Sequence, residues 1–234
     1  MKHDIEADVR GDVAIKVGAL FFVALILLAF TTDPVATGTR EGDRAPPLEG
    51  LAYNGSGWTA FDLNDYLTPD WTSNNSSAPW VVVEFMDTDC PYCVQAAEEM
   101  AQFSNYFMKF QGEDGSATSA ENPPAWRGPL VNFIASATEL DISGHDTSQD
   151  EIEGFRDRSG DESCAGRACS SRPGSPHLFT YIDDIDQENM DTWKVGGTPE
   201  YFILQPDGIV AWVASEHDET LEYALMRLTQ ELTQ

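Results

Sequence analysis

Positive charge is what this sequence most lacks. Its 234 residues include 13 Lys+Arg against 40 Asp+Glu, a formal net charge of -27, and the only lysines are Lys2, Lys16, Lys109 and Lys194. Such a surface repels phosphate backbones, which argues against nucleic acid as a partner. No acidic block or tail accounts for the imbalance, because the acids are scattered along the chain. Dispersed acid with little lysine suits a protein kept soluble at high ionic strength, where salt screens self-repulsion. An ordinary acidic extracellular domain fits equally well. Internal repeats are absent too. What is present is enough apolar material, 41% of residues with 11% aromatic, to build a real core.

The longest apolar run, Val13 to Phe30, carries one charge, Lys16. Apolar on every face and at the N-terminus, it reads as a membrane-spanning helix near the minimum length, with Lys16 snorkelling toward the headgroups. A cleaved signal peptide is the rival. Against it stand a long acidic leading tail and no A-x-A site. Lys2, Arg10 and Lys16 precede or open the run and Arg40 and Arg44 follow it, which puts the N-terminus inside. The remainder would then lie outside the cytoplasm, where disulfides persist. The expected organisation is a cytoplasmic tail over 1–12, an anchor over 13–30, a linker over 31–44 and one domain over 45–234.

Within that domain, Trp58–Leu63 alternates like a strand and Leu63–Leu67 suggests a helical turn. Trp80–Met86 (WVVVEFM) reads as a strand buried on both faces. Pro91 to Phe110 repeats apolar residues at helical spacing. Gln111–Gly128 reads as a loop, Leu130–Ala135 as a second buried strand, and Ser148–Arg156 as a helix with a capping box. Ser159–Pro176 is rich in breakers, and His177–Ile182 suggests a strand. Glu200–Leu204 and Gly208–Val213 flank Gln-Pro-Asp-Gly as an antiparallel hairpin. A last helix is expected over Glu219–Leu232. Alternation of strand and helix predicts an α/β fold with parallel pairing, to which the late hairpin adds an antiparallel edge, making a mixed central sheet.

Four cysteines are present. Cys90 and Cys93 stand in DTDCPYC, where the buried strand ends and the helix begins. A helix N-terminus stabilises a thiolate at Cys90, and Pro91 suits a first turn that needs no amide donor. Cys93, one turn on, can attack a mixed disulfide at Cys90. A structural disulfide rarely spans so few residues. A zinc site of Cys90, Cys93, Cys164 and Cys169 has unusual spacing in its second pair. A working redox pair with no metal or other cofactor is the favoured reading. Cys164 and Cys169, in a Gly/Ser/Arg loop, suggest a structural disulfide, with a second redox pair relaying electrons as the alternative. His177 is assigned a structural role, and His145 and His217, lying among acids, are expected to be solvated.

Val83–Cys93, Val195-Gly-Gly-Thr-Pro-Glu-Tyr-Phe-Ile-Leu204 and Pro206-Asp-Gly208 together resemble the thioredoxin superfamily. Gly42-Asp-Arg-Ala-Pro-Pro-Leu48 is similar to the opening of its membrane-anchored TlpA/ResA branch. The resemblance covers Gly42 to the C-terminus. It implies a thioredoxin-like fold, with helices on both faces of the sheet, and a thiol–disulfide oxidoreductase. Cys90 and Cys93 match the redox pair, Pro199 the cis-proline facing it, and Glu84 the buried acid that moves the second thiol's proton. Pro91, Tyr92 and Thr198 would contact substrate. Implied partners are protein dithiols or disulfides and a membrane redox protein that resets the pair. Burial of Glu84 among apolar neighbours predicts a raised pKa. Where the family has Trp before the first cysteine, this chain has Asp89, with Asp87 nearby. Their charge is expected to raise the Cys90 pKa, which leaves open whether the protein reduces, oxidises or isomerises. A peroxiredoxin reading lacks the P-x-x-x-T-x-x-C pattern. A copper chaperone on this fold would want wider cysteine spacing and a suitably placed histidine.

Overall fold

The computed structural model describes residues 3–31, 35–74, 78–111, 117–119 and 130–230, in two compact units that divide after Ala36. The first unit contains α1 (His3–Thr31). Among the described residues no helix is long and apolar enough to cross a membrane. The side chains of 28–30, which complete the apolar run, lie outside that set. The apolar side chains before them are exposed, Ile15 at 72% and Leu20 at 70%.

The second unit begins at Thr37. In chain order it holds β1 (Glu49–Tyr53), β2 (Trp58–Asp62), β3 (Trp80–Met86), α2 (Pro91–Phe107), β4 (Lys109–Gln111), β5 (Ala117–Ser119) and β6 (Val131–Thr138). Then come α3 (Gln149–Asp157), β7 (Ser163–Cys164), β8 (Arg167–Ala168), β9 (Thr180–Asp184), α4 (Glu188–Thr192), β10 (Glu200–Leu204), β11 (Val210–Val213) and α5 (Leu221–Gln230). Seven strands form one sheet in the order β11-β10-β3-β6-β9-β1-β2. β3, β6 and β9 run parallel, whereas β10 lies antiparallel to β3 and returns through β11.

The position of β3 follows from its sequence. All seven of its residues are buried, as a strand between two covered faces requires. Alternation then sorts its side chains. Trp80, Val82 and Met86 join a core cluster with Cys90, Cys93, Met100, Ile152, Phe155 and Leu225. Val81, Val83 and Phe85 join a second cluster around Trp193 and Phe202. Glu84 has the parity of the first set and so faces the cysteine side.

Several expectations change. The stretch 37–44 does not behave as a linker. Gly42 N–H donates to the Val210 carbonyl at 2.9 Å, and Ala45 N–H to Gly208 at 2.9 Å, so it packs on the β10–β11 turn. α2 ends at Phe107 because Met108 is extended, and the chain runs on into β4. The expected loop after it lies mostly outside the described residues. β9 starts at Thr180 rather than His177; the buried His177 ring instead bonds the Tyr181 hydroxyl (2.5 Å) and the Ala97 carbonyl (2.8 Å). β1 and α4 were not anticipated, since neither has a clear apolar period. The capping box of α3 forms as read, with Ser148 and Glu151 bonded reciprocally.

Candidate functional site

Cys90 is the N-cap of α2, in extended conformation, and Pro91 occupies the first turn. Cys90 N–H donates to the Asp87 carbonyl at 3.1 Å, and Val94 N–H to the Cys90 carbonyl at 3.1 Å. The Cys90 side chain therefore stands where the helix's unpaired amides converge. Both thiols are free and nearly buried, Cys90 at 4% and Cys93 at 1% exposure. Tyr92, between them, is 71% exposed. The Thr198–Pro199 peptide is cis, and Cys90 Sγ lies 3.4 Å from the Thr198 carbonyl oxygen. Pro199 and Thr198 also line an open groove of about 580 Å³ with Arg40, Lys194 and Glu216.

The two thiols differ sharply. A hydrogen bond from Cys93 is the largest influence on Cys90; opposed by burial but helped by Thr198 and the amides of Tyr92 and Cys93, it brings the Cys90 pKa down to about 5. Burial, together with the neighbouring Cys90, pushes Cys93 well above the ordinary thiol value. One sulfur is thus a ready thiolate at neutral pH and the other a protected thiol.

Glu84 lies beneath the pair, 3% exposed, in register with Tyr201 of β10. Burial raises its pKa to about 8, against a hydrogen bond with Tyr201 and the charge of Arg172. Its Oε2 has no hydrogen-bond partner. That orphaned oxygen is a proton acceptor held in an apolar setting on the cysteine side of the sheet.

The aspartates do not act as expected. Asp89 is held by backbone amides: its Oδ2 accepts from Asp146 N–H at 3.0 Å and its Oδ1 from Ala165 N–H at 3.1 Å. Asp87, fully buried, accepts from the amides of Asp89 (2.7 Å) and Leu140 (2.9 Å) and from Thr147 Oγ1 (3.4 Å). Its Oδ2 also meets His145 Nδ1 at 2.6 Å. The carboxylates are committed to loop donors, and hydrogen bonding rather than their charge sets the Cys90 value. His145, expected to be solvated, has a side chain only 12% exposed. His217 meets Glu41 and stacks on Trp212.

Cys164 and Cys169 are bonded to each other across the β7–β8 hairpin. Gly154 lets α3 approach this hairpin, since a Cβ there would meet Ser159 O at 3.0 Å and Cys169 Cβ at 3.2 Å. Buried Arg172 ties the following loop by donating to the carbonyls of Phe155, Arg156, Pro173 and Ser175. Among the described residues no group of three or more His, Cys, Asp or Glu is placed to hold a metal.

A strand ending in Cys-x-x-Cys at a helix start, beside an antiparallel strand led by a cis-proline, is the thioredoxin-like arrangement, and this is the fold of the second unit. No protein-family model and no curated protein matches the sequence. Solved structures do. An uncharacterized conserved protein from Geobacillus kaustophilus superposes with a TM-score of 0.50 at 16% identity, over 78% of this chain and 72% of the other. The reduced 2-Cys peroxiredoxin of Plasmodium vivax gives 0.50 at 12% identity, over 86% and 83%. A putative thiol:disulfide interchange protein DsbE from Chlorobium tepidum gives 0.49 at 15% identity, over 81% and 98%. At these identities the likeness concerns the fold alone.

Proposed function

We propose that the protein is a thiol–disulfide oxidoreductase that exchanges disulfides with protein substrates through Cys90 and Cys93. The observation that carries this is the placement of a low-pKa sulfur 3.4 Å from the carbonyl before cis-Pro199, with a second thiol one turn behind it. In the reducing direction the Cys90 thiolate attacks a substrate disulfide. The S–S bond breaks, one substrate sulfur departs as a thiolate, and a mixed disulfide forms at Cys90. Cys93 gives its proton to Glu84 and attacks the Cys90 sulfur. The second substrate sulfur leaves, and the Cys90–Cys93 disulfide remains. Substrate gains two electrons and the pair loses them; the reverse sequence oxidises substrate. A carboxyl poised near 8 can take or return that proton.

An extended substrate segment would lie across Thr198 and Pro199 and against Tyr92 and Pro91. We place the catalytic unit outside the cytoplasm, held by Val13–Phe30 as a single-pass anchor with the N-terminus inside, on the apolar run and the bias of basic residues. A membrane redox protein would then reset the pair. Reduction of insulin disulfides by the reduced protein, lost in Cys90→Ala, tests the activity. The reduction potential of the Cys90–Cys93 pair sets its direction: a value near that of thioredoxin marks a reductase, and one near that of DsbA an oxidant.

A further inference from the structure

Two acidic side chains stand within three residues of Cys90, in a site whose chemistry needs a thiolate. Asp87 is the closer constraint, because its own carbonyl accepts the Cys90 amide. Its carboxylate has no exposure. A buried carboxylate needs a compensating charge or a full set of donors. Three of its four neighbours are neutral: the amides of Asp89 and Leu140 and the hydroxyl of Thr147. The fourth is His145, whose Nδ1 lies 2.6 Å from Oδ2.

We propose that His145 is a positioning residue of the redox site, which in its charged form cancels Asp87 and so holds the Cys90 thiolate stable and the pair oxidising. This deepens the oxidoreductase reading and rests on it. Among the described residues, the titratable groups that act on the imidazole are acidic or thiol. The loop before α2 presents Asp87, Asp89 and Cys90, and the imidazole's own loop adds Asp146. The acid field extends to Glu151 of α3 and Glu162 beside β7, both of which act electrostatically in this same cluster. Burial opposes a charged His145, yet the hydrogen bond and charge of Asp87, with Asp89 and the Cys90 thiolate, outweigh it and hold the imidazole above its ordinary value. If the thiolate favours the imidazolium, the imidazolium favours the thiolate by the same free energy. Losing it leaves Asp87 uncompensated beside Cys90.

The test compares the full chain with His145→Asn and His145→Lys. Thiolate absorbance against pH gives the Cys90 pKa, and equilibration with a glutathione buffer gives the potential. His145→Asn should raise the Cys90 pKa by about one unit, which corresponds to a potential lower by about 30 mV if it is fully transmitted. His145→Lys, which keeps a cation, should recover most of that shift. The difference between wild type and His145→Asn should shrink at pH values above the imidazole's own titration. Unchanged pKa and potential in His145→Asn overturn the proposal. So does an equal shift in Asn and Lys variants that persists at high pH, since a purely structural histidine behaves that way. Should His145→Asn not fold, the imidazole's proton resonances in wild type serve instead. They should titrate higher in the reduced protein than in Cys90→Ala, and equal values refute the coupling. Failure of the oxidoreductase reading looks different: wild type would then show no reversible Cys90–Cys93 disulfide at all.

Discussion

Replacing Glu84 by Gln tests the site's energetics and its chemistry together. The carboxyl ionises at about 8 in the folded protein, raised by burial from an ordinary 4.5. The unfolded chain releases this proton near pH 4.5 and the folded chain near pH 8. Its contribution to stability is therefore complete below the lower value and is lost as the pH rises through the window to the upper one. At pH 7 the loss amounts to about 3 kcal/mol, from two and a half units at about 1.4 kcal/mol each. Glutamine cannot ionise and avoids it. In return, the amide places a polar atom where Oε2 now has no partner, which costs about 1–2 kcal/mol at every pH. Urea denaturation should find Glu84→Gln slightly less stable than wild type at pH 4 and more stable at pH 7. The difference between the two proteins should move by about 3 kcal/mol between pH 4 and pH 7. The same variant should resolve mixed disulfides more slowly, since Cys93 loses its proton acceptor. Parallel stability curves for the two proteins between pH 4 and pH 8 would refute the assignment of Glu84 as a buried acid held protonated.

Other outcomes follow from the same geometry. Cys93→Ser should trap substrate on Cys90 as a mixed disulfide visible on non-reducing gels, whereas Cys90→Ser should trap none. Cys164→Ala should lower stability by about 2 kcal/mol, the loop-entropy value for a closure this short, while insulin reduction per folded molecule stays near wild type; equal loss of activity in Cys164→Ala and Cys90→Ala favours an electron relay instead. Asp89→Ala frees the amides of Asp146 and Ala165 and should cost about 1–3 kcal/mol in denaturant titration. Trp193→Ala, which empties the centre of the second core cluster, should cost about 3–5 kcal/mol without shifting the Cys90 titration.

The elements around the cysteines were legible because each is set by its own residues. WVVVEFM is buried throughout, the residues after Pro91 repeat at helical spacing, and Ser148 and Glu151 cap α3 as a local pair. The apposition of Thr198 to Cys90 was expected only through the resemblance to a known family, since nothing local joins positions 108 residues apart. The roles of Asp87 and Asp89 were misread for a related reason. Nearness in sequence suggested repulsion of the thiolate, yet the fold supplies donors 53 and 76 residues away, at Leu140 and Ala165. His145 was misread likewise: it lies among acids in sequence, but the fold buries against it Asp87, 58 residues away. Such pairings are made by tertiary packing and leave no periodicity behind. β1 and α4 were missed because a five-residue strand and a five-residue helix carry too few apolar positions to show a period.

The central claim is that Cys90 alone is the working nucleophile, and the pH dependence of thiol alkylation tests it most directly. With the reduced protein and iodoacetamide, mapped by mass spectrometry, Cys90 should be modified with a midpoint near the pKa of about 5, while Cys93 stays unmodified through neutral pH. Equal modification of both thiols with a midpoint in the ordinary cysteine range, or modification of Cys93 first, contradicts the account.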